Sequence, residues 1–203
     1  MDTEYTKIAS DEQIEATVQA LKANGFAVEV VVDKQAAKDL IIGMIPKGSD
    51  VFTNTSVTLD ESGISEVLNG SDYVSARNNM MALYGDPSKK KEMKQIGGTP
   101  DFALGSVHAL TQDGKLMIAS ATGSQIPGEA YGSDTVIFAV GAQKIVKDLS
   151  AGIRRIEDHV VALEDVRAQA AYGVNTAFNK LLVINSEAPG RIAVVIIKEN
   201  IGY

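Results

Sequence analysis

The chain has 203 residues, 45% of them apolar and 22% charged, with no cysteine and a net charge of −7. It is long enough to bury a sizeable core, and one domain over residues 1–203 is the expectation. The acidic balance argues against nucleic-acid and anionic-membrane partners, and the lack of cysteine excludes disulfides, thiolate nucleophiles and cysteine-ligated zinc or iron–sulfur clusters.

The opening, MDTEYTKIAS, is acidic and polar and lacks the apolar core of a secretion signal. No apolar run approaches the roughly 20 residues of a membrane helix, so a cytoplasmic protein without a membrane partner is expected. Ser10 with Gln13 forms a capping-box pattern, and Ile14, Val18 and Leu21 recur at helical spacing; this N-terminal helical segment, about 1–25, is expected to pack on the domain. Asn24-Gly25 ends it, and Phe26 to Val32 reads as a buried strand. A helix over about Lys34 to Ile45 and a strand over Asp50 to Thr53 follow, an alternation that implies parallel pairing with right-handed crossovers. Further helices are predicted at about 59–69, 73–83 and 87–96.

Phe102 to Ala119 carries two β-rich runs joined by Asp113-Gly114, which predicts a two-residue type I′ turn with positive φ at both positions. After the small-residue loop Ser120–Gly128 come a strand over Asp134 to Val140 and a helix over about Val146 to Val161, with Leu149, Ile153, Ile156 and Val160 on one face. Strands over Leu181 to Ile184 and Arg191 to Lys198 close the chain. The fold class is α/β: a mixed, mainly parallel sheet flanked by helices, with a β-hairpin.

In open α/β sheets, ligands gather beyond the carboxyl ends of strands, near helix N-termini. Two segments fit. Asn54, Thr55 and Ser56 sit between a strand end and a capping box of Thr58 with Glu61, where they would cradle a carboxylate or phosphate or merely cap the helix. In Val140-Gly-Ala-Gln-Lys144, Gly141 permits close backbone approach and Lys144 supplies a cation, or is simply a surface lysine before a helix. No Walker-type or GxGxxG loop occurs. His108 reads as a structural histidine, and His159 as a partner of a helix dipole. With no companions at ligand spacing, the two histidines give no metal motif. The run Lys89, Lys90, Lys91 and Lys94 reads as a solvated helix face, and Gly63 and Gly70 as helix terminators.

Gly105 to Leu116 resembles the "G-x-x-A-[IL]-T-x-x-G-x-L" hairpin of the LUD family, the lactate-utilisation (LutC-like) proteins. Ser56 to Gly63 resembles that family's "S-x-T-L-x-E-x-G", Ser75-Ala-Arg77 its "AR" segment, VIFAVGAQKIV its "VIxVxGxNKIV", and Arg191 to Tyr203 its terminal "GRIxVxxxxExLGF". The similarity is colinear from about residue 40 to the C-terminus. It also aligns Thr122, Gly123, Ser124 and Gln125, ligand-binding candidates in a loop expected to line one pocket with Asn54–Thr58 and Gly141–Lys144, with the family's "TGNR", so that Ser124 and Gln125 stand where relatives carry asparagine and arginine. An arginine forks onto an anion; a glutamine offers only a neutral amide. The cysteine-rich segment that some relatives carry before the last strand is absent, Ala171 to Phe178 standing in its place.

The resemblance implies a fold similar to the sugar-phosphate isomerase and CoA-transferase superfamily. It also implies a small anionic metabolite as ligand and an accessory role in oxidation of L-lactate or a related 2-hydroxy acid, beside iron–sulfur oxidoreductase subunits. No cofactor and no metal is expected in this chain, and homo-oligomerisation is left open. Two other readings stand beside this one. The first is a stand-alone isomerase or transferase acting on a sugar phosphate or CoA ester, with Glu61 or Asp60 as acid/base and Lys144 stabilising negative charge. The second is a non-catalytic interaction subunit.

Overall fold

The computed structural model describes residues 4–203. Ser10 starts α1 (Asp11–Ala23) with a reciprocal capping box: its Oγ accepts from the Gln13 backbone at 3.3 Å, and Gln13 Oε1 accepts from its own at 2.9 Å. Then come β1 (Ala27–Val31), α2 (Lys34–Gly43), β2 (Asp50–Thr53), α3 (Val57–Glu61) and α4 (Ile64–Leu68). The helix predicted at 59–69 is thus two helices, because Gly63 adopts a left-handed φ of 71° and breaks it. β3 (Val74–Ser75) takes the first residues of the next predicted helix into the sheet before α5 (Ala76–Ala82), and α6 (Lys90–Gly98) follows.

β4 is Phe102–Gly105, β5 Ala109–Thr111, β6 Leu116–Ser120, β7 Thr135–Gly141 and β8 Ile145–Val146. Next is a helical rod of α7 (Leu149–Arg155), a π-helical turn over Ile156–Val160 and α8 (Val161–Tyr172). β9 (Lys180–Ile184) and β10 (Ile192–Ile197) complete the order. The rod runs a full α8 beyond the predicted end at Val161, so His159 lies mid-rod rather than at a helix terminus. Its ring lies 5.4 Å from that of Tyr5.

The strands form two sheets, one wholly parallel and one mixed, in which β5 pairs parallel with β8. The larger, β1-β10-β7-β4-β2-β3, is parallel at every pair. The smaller, β8-β5-β6-β9, carries the antiparallel pairs. Along β7 and β10 the side chains alternate between two cores. Val136, Phe138, Val140, Val194 and Ile196 face α1 and the smaller sheet, whereas Ile137, Ala139, Val195 and Ile197 face α2, α3 and α4. A third cluster joins Ala109 and Met117 of the smaller sheet to Ile156 of the rod.

The hairpin forms, with a different turn. The Gly114 amide donates to the Thr111 carbonyl at 2.8 Å; only Gly114 is left-handed (φ 79°), and no non-glycine among the described residues has positive φ. Asp113 keeps ordinary φ while its carboxylate accepts from the Thr111 hydroxyl and pairs with Lys115. One left-handed glycine closing a longer turn therefore replaces two in a type I′ turn. No helix among the described residues is long and apolar enough to cross a membrane.

Candidate functional site

Because β2, β4 and β7 are parallel neighbours, the loops leaving Thr53, Gly105 and Gly141 emerge at one edge of the sheet. There they border a cavity of about 770 Å³ shared with the rod and the Ser120 loop. Arg77 braces the first loop, donating to the Thr53 carbonyl and to Thr55 Oγ1, each at 3.1 Å. Ser56 spends its hydroxyl as the cap of α3, accepting from the Leu59 amide at 3.4 Å.

Lys144 ends a short 3₁₀ turn after β7 and is 1% exposed. Its Nζ donates to Thr58 Oγ1 at 2.9 Å and Ser106 Oγ at 3.1 Å. Burial, and then the charge of Arg155, hold its ammonium well below the ordinary lysine range, with Glu61 opposing more weakly. The C-terminal segment seals the turn: Gln143 donates to the carbonyls of Ile201 and Gly202, and the Gly202 amide donates to Glu61 at 2.9 Å.

Glu129, also 1% exposed, is presented by the π-helical turn Gly128–Gly132. Asn54 Nδ2 donates to its Oε1 at 2.7 Å, but Glu129 Oε2 and Asn54 Oδ1 are buried without a hydrogen-bond partner among the described residues. Burial pushes the Glu129 carboxyl up to about 8, only partly offset by Asn54, so at neutral pH it is mostly the acid. Gly105 makes the pairing possible, since a Cβ there would stand 2.9 Å from Asn54 Nδ2 and 3.1 Å from Glu129 Oε1.

On the rod side, Arg167 grips Glu164 through Nε (2.8 Å) and Nη2 (2.6 Å), and Tyr203 donates to the same carboxylate at 2.6 Å. Burial alone would raise Glu164, but these bonds hold it below the ordinary range. His108 lines the cavity with Nδ1 accepting from the Ala119 amide at 3.0 Å. Burial, then Lys144 and Arg155, push its imidazole down to about 3, so it is neutral. Ile118, Ile156, Val160 and Phe178 supply apolar wall. The site thus combines a desolvated amine, a neutral carboxylic acid and a fixed carboxylate.

The LUD domain model matches residues 14–197. The chain belongs to the LUD domain family. A crystal structure of a DUF162 family protein from Deinococcus radiodurans is similar to this LUD chain in fold, with a TM-score of 0.59 at 12% identity over 94% of this chain and 99% of that one. No curated protein matches.

In this LUD domain, Asn54, Thr55, Ser56, Thr58, Thr122, Ser124, Gln125 and Lys144 all line the one cavity. Four sequence candidates lie outside its lining, among them Asp60, which is exposed on α3. Gly123 has a left-handed φ of 85° and packs on Lys180; Gly141 packs against Gln143 and Ile201; Glu61 holds the Gly202 amide. Gln125 turns its amide onto its own loop, Oε1 accepting from Ser120 at 3.0 Å. Ser106, Glu129, Glu164, Arg167 and Tyr203 were not signalled. Ser106 directly follows a recognised motif glycine, and Glu164 with Arg167 is an i,i+3 pair visible in the sequence. Glu129 had no signal, because its role arises from contact with Asn54 across the sheet edge.

Proposed function

We propose that this LUD-domain protein binds a small anionic metabolite in the cavity, with its carboxylate on Lys144. We further propose that it serves in the cytoplasm as an accessory component of L-lactate or related 2-hydroxy-acid utilisation, beside iron–sulfur oxidoreductase subunits. The observation that carries the anion reading is Lys144 itself: 1% exposed, at the cavity, and hydrogen-bonded among the described residues only to two hydroxyls. A buried ammonium facing neutral partners is destabilised, and an arriving anion restores its charge. The volume of about 770 Å³ falls in the range of small-molecule sites. The lactate assignment rests on family membership. A thermal-shift panel of L-lactate, pyruvate, a sugar phosphate and a CoA ester tests it. L-lactate or pyruvate is expected to raise the unfolding midpoint of the wild type and leave that of Lys144→Met unmoved; no shift in the wild type overturns it.

Glu129 favours a second reading, an isomerase or transferase of the same superfamily. A buried carboxylic acid near neutral titration can exchange protons with a substrate. In that reading Glu129 takes the acid/base part that sequence spacing gave to Glu61 or Asp60. A CoA ester or sugar phosphate shifting the midpoint more than L-lactate does, with turnover lost in Glu129→Gln, selects it.

A further inference from the structure

A second recess, of about 200 Å³, is walled by Tyr5, Lys7, Gln143, Lys147, Arg154 and Arg155 among others. Arg155 is fully buried. Its Nη1 donates to the His108 carbonyl at 2.6 Å, but Nε and Nη2 are buried with no hydrogen-bond partner among the described residues. These are the same two donors with which Arg167 grips the Glu164 carboxylate elsewhere in the chain. Two parallel N–H groups on one edge of a guanidinium match the spacing of two oxygens of a carboxylate or phosphate. Leaving such a pair buried and unmade is costly, and an oxyanion can satisfy both donors at once.

The surroundings are cationic. Lys7, Lys147 and Arg154 are exposed on the recess, and no ion pair among the described residues uses any of them or Arg155. Glu4 is the one carboxylate in the described lining, and nearby Asp158 accepts from the Tyr5 hydroxyl at 3.1 Å. Four cations against one lining carboxylate stand out in a chain of net charge −7.

We propose that this recess is a second, separate anion site, in which Arg155 Nε and Nη2 take two oxygens of a phosphate or carboxylate while Lys7, Lys147 and Arg154 surround it. Occupancy completes the hydrogen bonding of a guanidinium that also holds the backbone at His108, a residue of the large cavity.

The test titrates inorganic phosphate, and in parallel acetate, at constant ionic strength by calorimetry. It uses the wild type and Lys144→Met, each with and without Lys7→Ala plus Lys147→Ala. Working in Lys144→Met removes the cation of the large cavity, so this site is judged independently of the function proposed above. Binding of one phosphate or acetate that survives Lys144→Met and weakens about tenfold on loss of the two exposed lysines supports the site. Stronger phosphate than acetate binding assigns a phosphoryl group, and the reverse a carboxylate. Absence of binding, binding lost with Lys144, or binding indifferent to Lys7 and Lys147 overturns the proposal. Arg155→Met also disturbs the His108 carbonyl, so the exposed lysines carry the test, and the wild-type pair decides if Lys144→Met does not fold.

Discussion

Lys144 Nζ donates to Thr58 Oγ1 over 2.9 Å, with each residue 1% exposed. The two lie 86 positions apart, one after β7 and one at the start of α3, and meet because parallel strands deliver both loops to the same edge. The Thr58 hydroxyl in turn faces the Ile201 carbonyl at 3.4 Å, so the C-terminal segment forms part of the amine's surroundings.

Replacing Lys144 by Met is expected to separate binding from stability. Anion binding should weaken by about 1–3 kcal/mol, the scale of a lost charged hydrogen bond. Folding should be unchanged or improved, because a desolvated amine gives way to an apolar chain of similar length. Urea unfolding beside ligand titration checks both; a large loss of stability would show that Lys144 is primarily a structural residue.

Glu129 gives a pH signature. Its folded value, about 8, stands above the ordinary 4.5, so between those limits the folded state holds more protons than the unfolded one. Stability from this group is therefore present at low pH and lost as pH rises from about 4.5 through 8, by up to about 1.4 kcal/mol per pH unit. Glu129→Gln removes that dependence, so the difference between variant and wild-type unfolding free energies should grow in favour of the variant from pH 5 to pH 8. A difference that does not change with pH would contradict the buried-acid assignment.

Gln125→Arg should tighten binding of carboxylates several-fold, since residue 125 lines the cavity and the resemblance places arginine there in relatives. The change forfeits the bond from Ser120. Calorimetric titration with the ligand found by the thermal panel reads it, and unaltered or weaker binding would remove residue 125 from the site.

Much of this architecture was legible in the sequence, and the exceptions share a cause. Capping at Ser10, the β1 and β7 runs and the gathering of polar loops at strand ends all follow from local chemistry and parallel topology. What escaped depended on distant partners. Glu129 acquires its character only because Asn54, 75 positions away, and Gly105 close around it. Nothing local marks the π-helical turn that joins α7 to α8, so the apolar periodicity predicts a helix that ends at Val161. The Asp-Gly pair predicts a left-handed Asp113, yet its bonds to Thr111 and Lys115 favour a longer turn with a single glycine there. Gly141 leaves space for a close approach, but that space is filled by Gln143 and Ile201 rather than by the cavity.

Gly114→Ala tests the turn. The residue has φ 79°, and a Cβ would lie 2.8 Å from the α1 backbone at Ala20 and Leu21 and from Asn24 Nδ2. Left-handed strain with a backbone clash should cost about 2–4 kcal/mol, read as a lower urea midpoint. A change below about 0.5 kcal/mol would mean that the turn relaxes freely away from α1.

The most direct measurement of the central claim is calorimetric titration of L-lactate and pyruvate at one pH in two buffers of different ionisation enthalpy. Burial holds the free Lys144 well below the ordinary lysine range, and an anion placed on it must draw it back up. Binding is therefore predicted to take up protons, to weaken as pH rises, and to lose this linkage in Lys144→Met. Binding with no proton uptake, and with the same affinity in Lys144→Met, would contradict the assignment of Lys144 as the cation that receives the ligand.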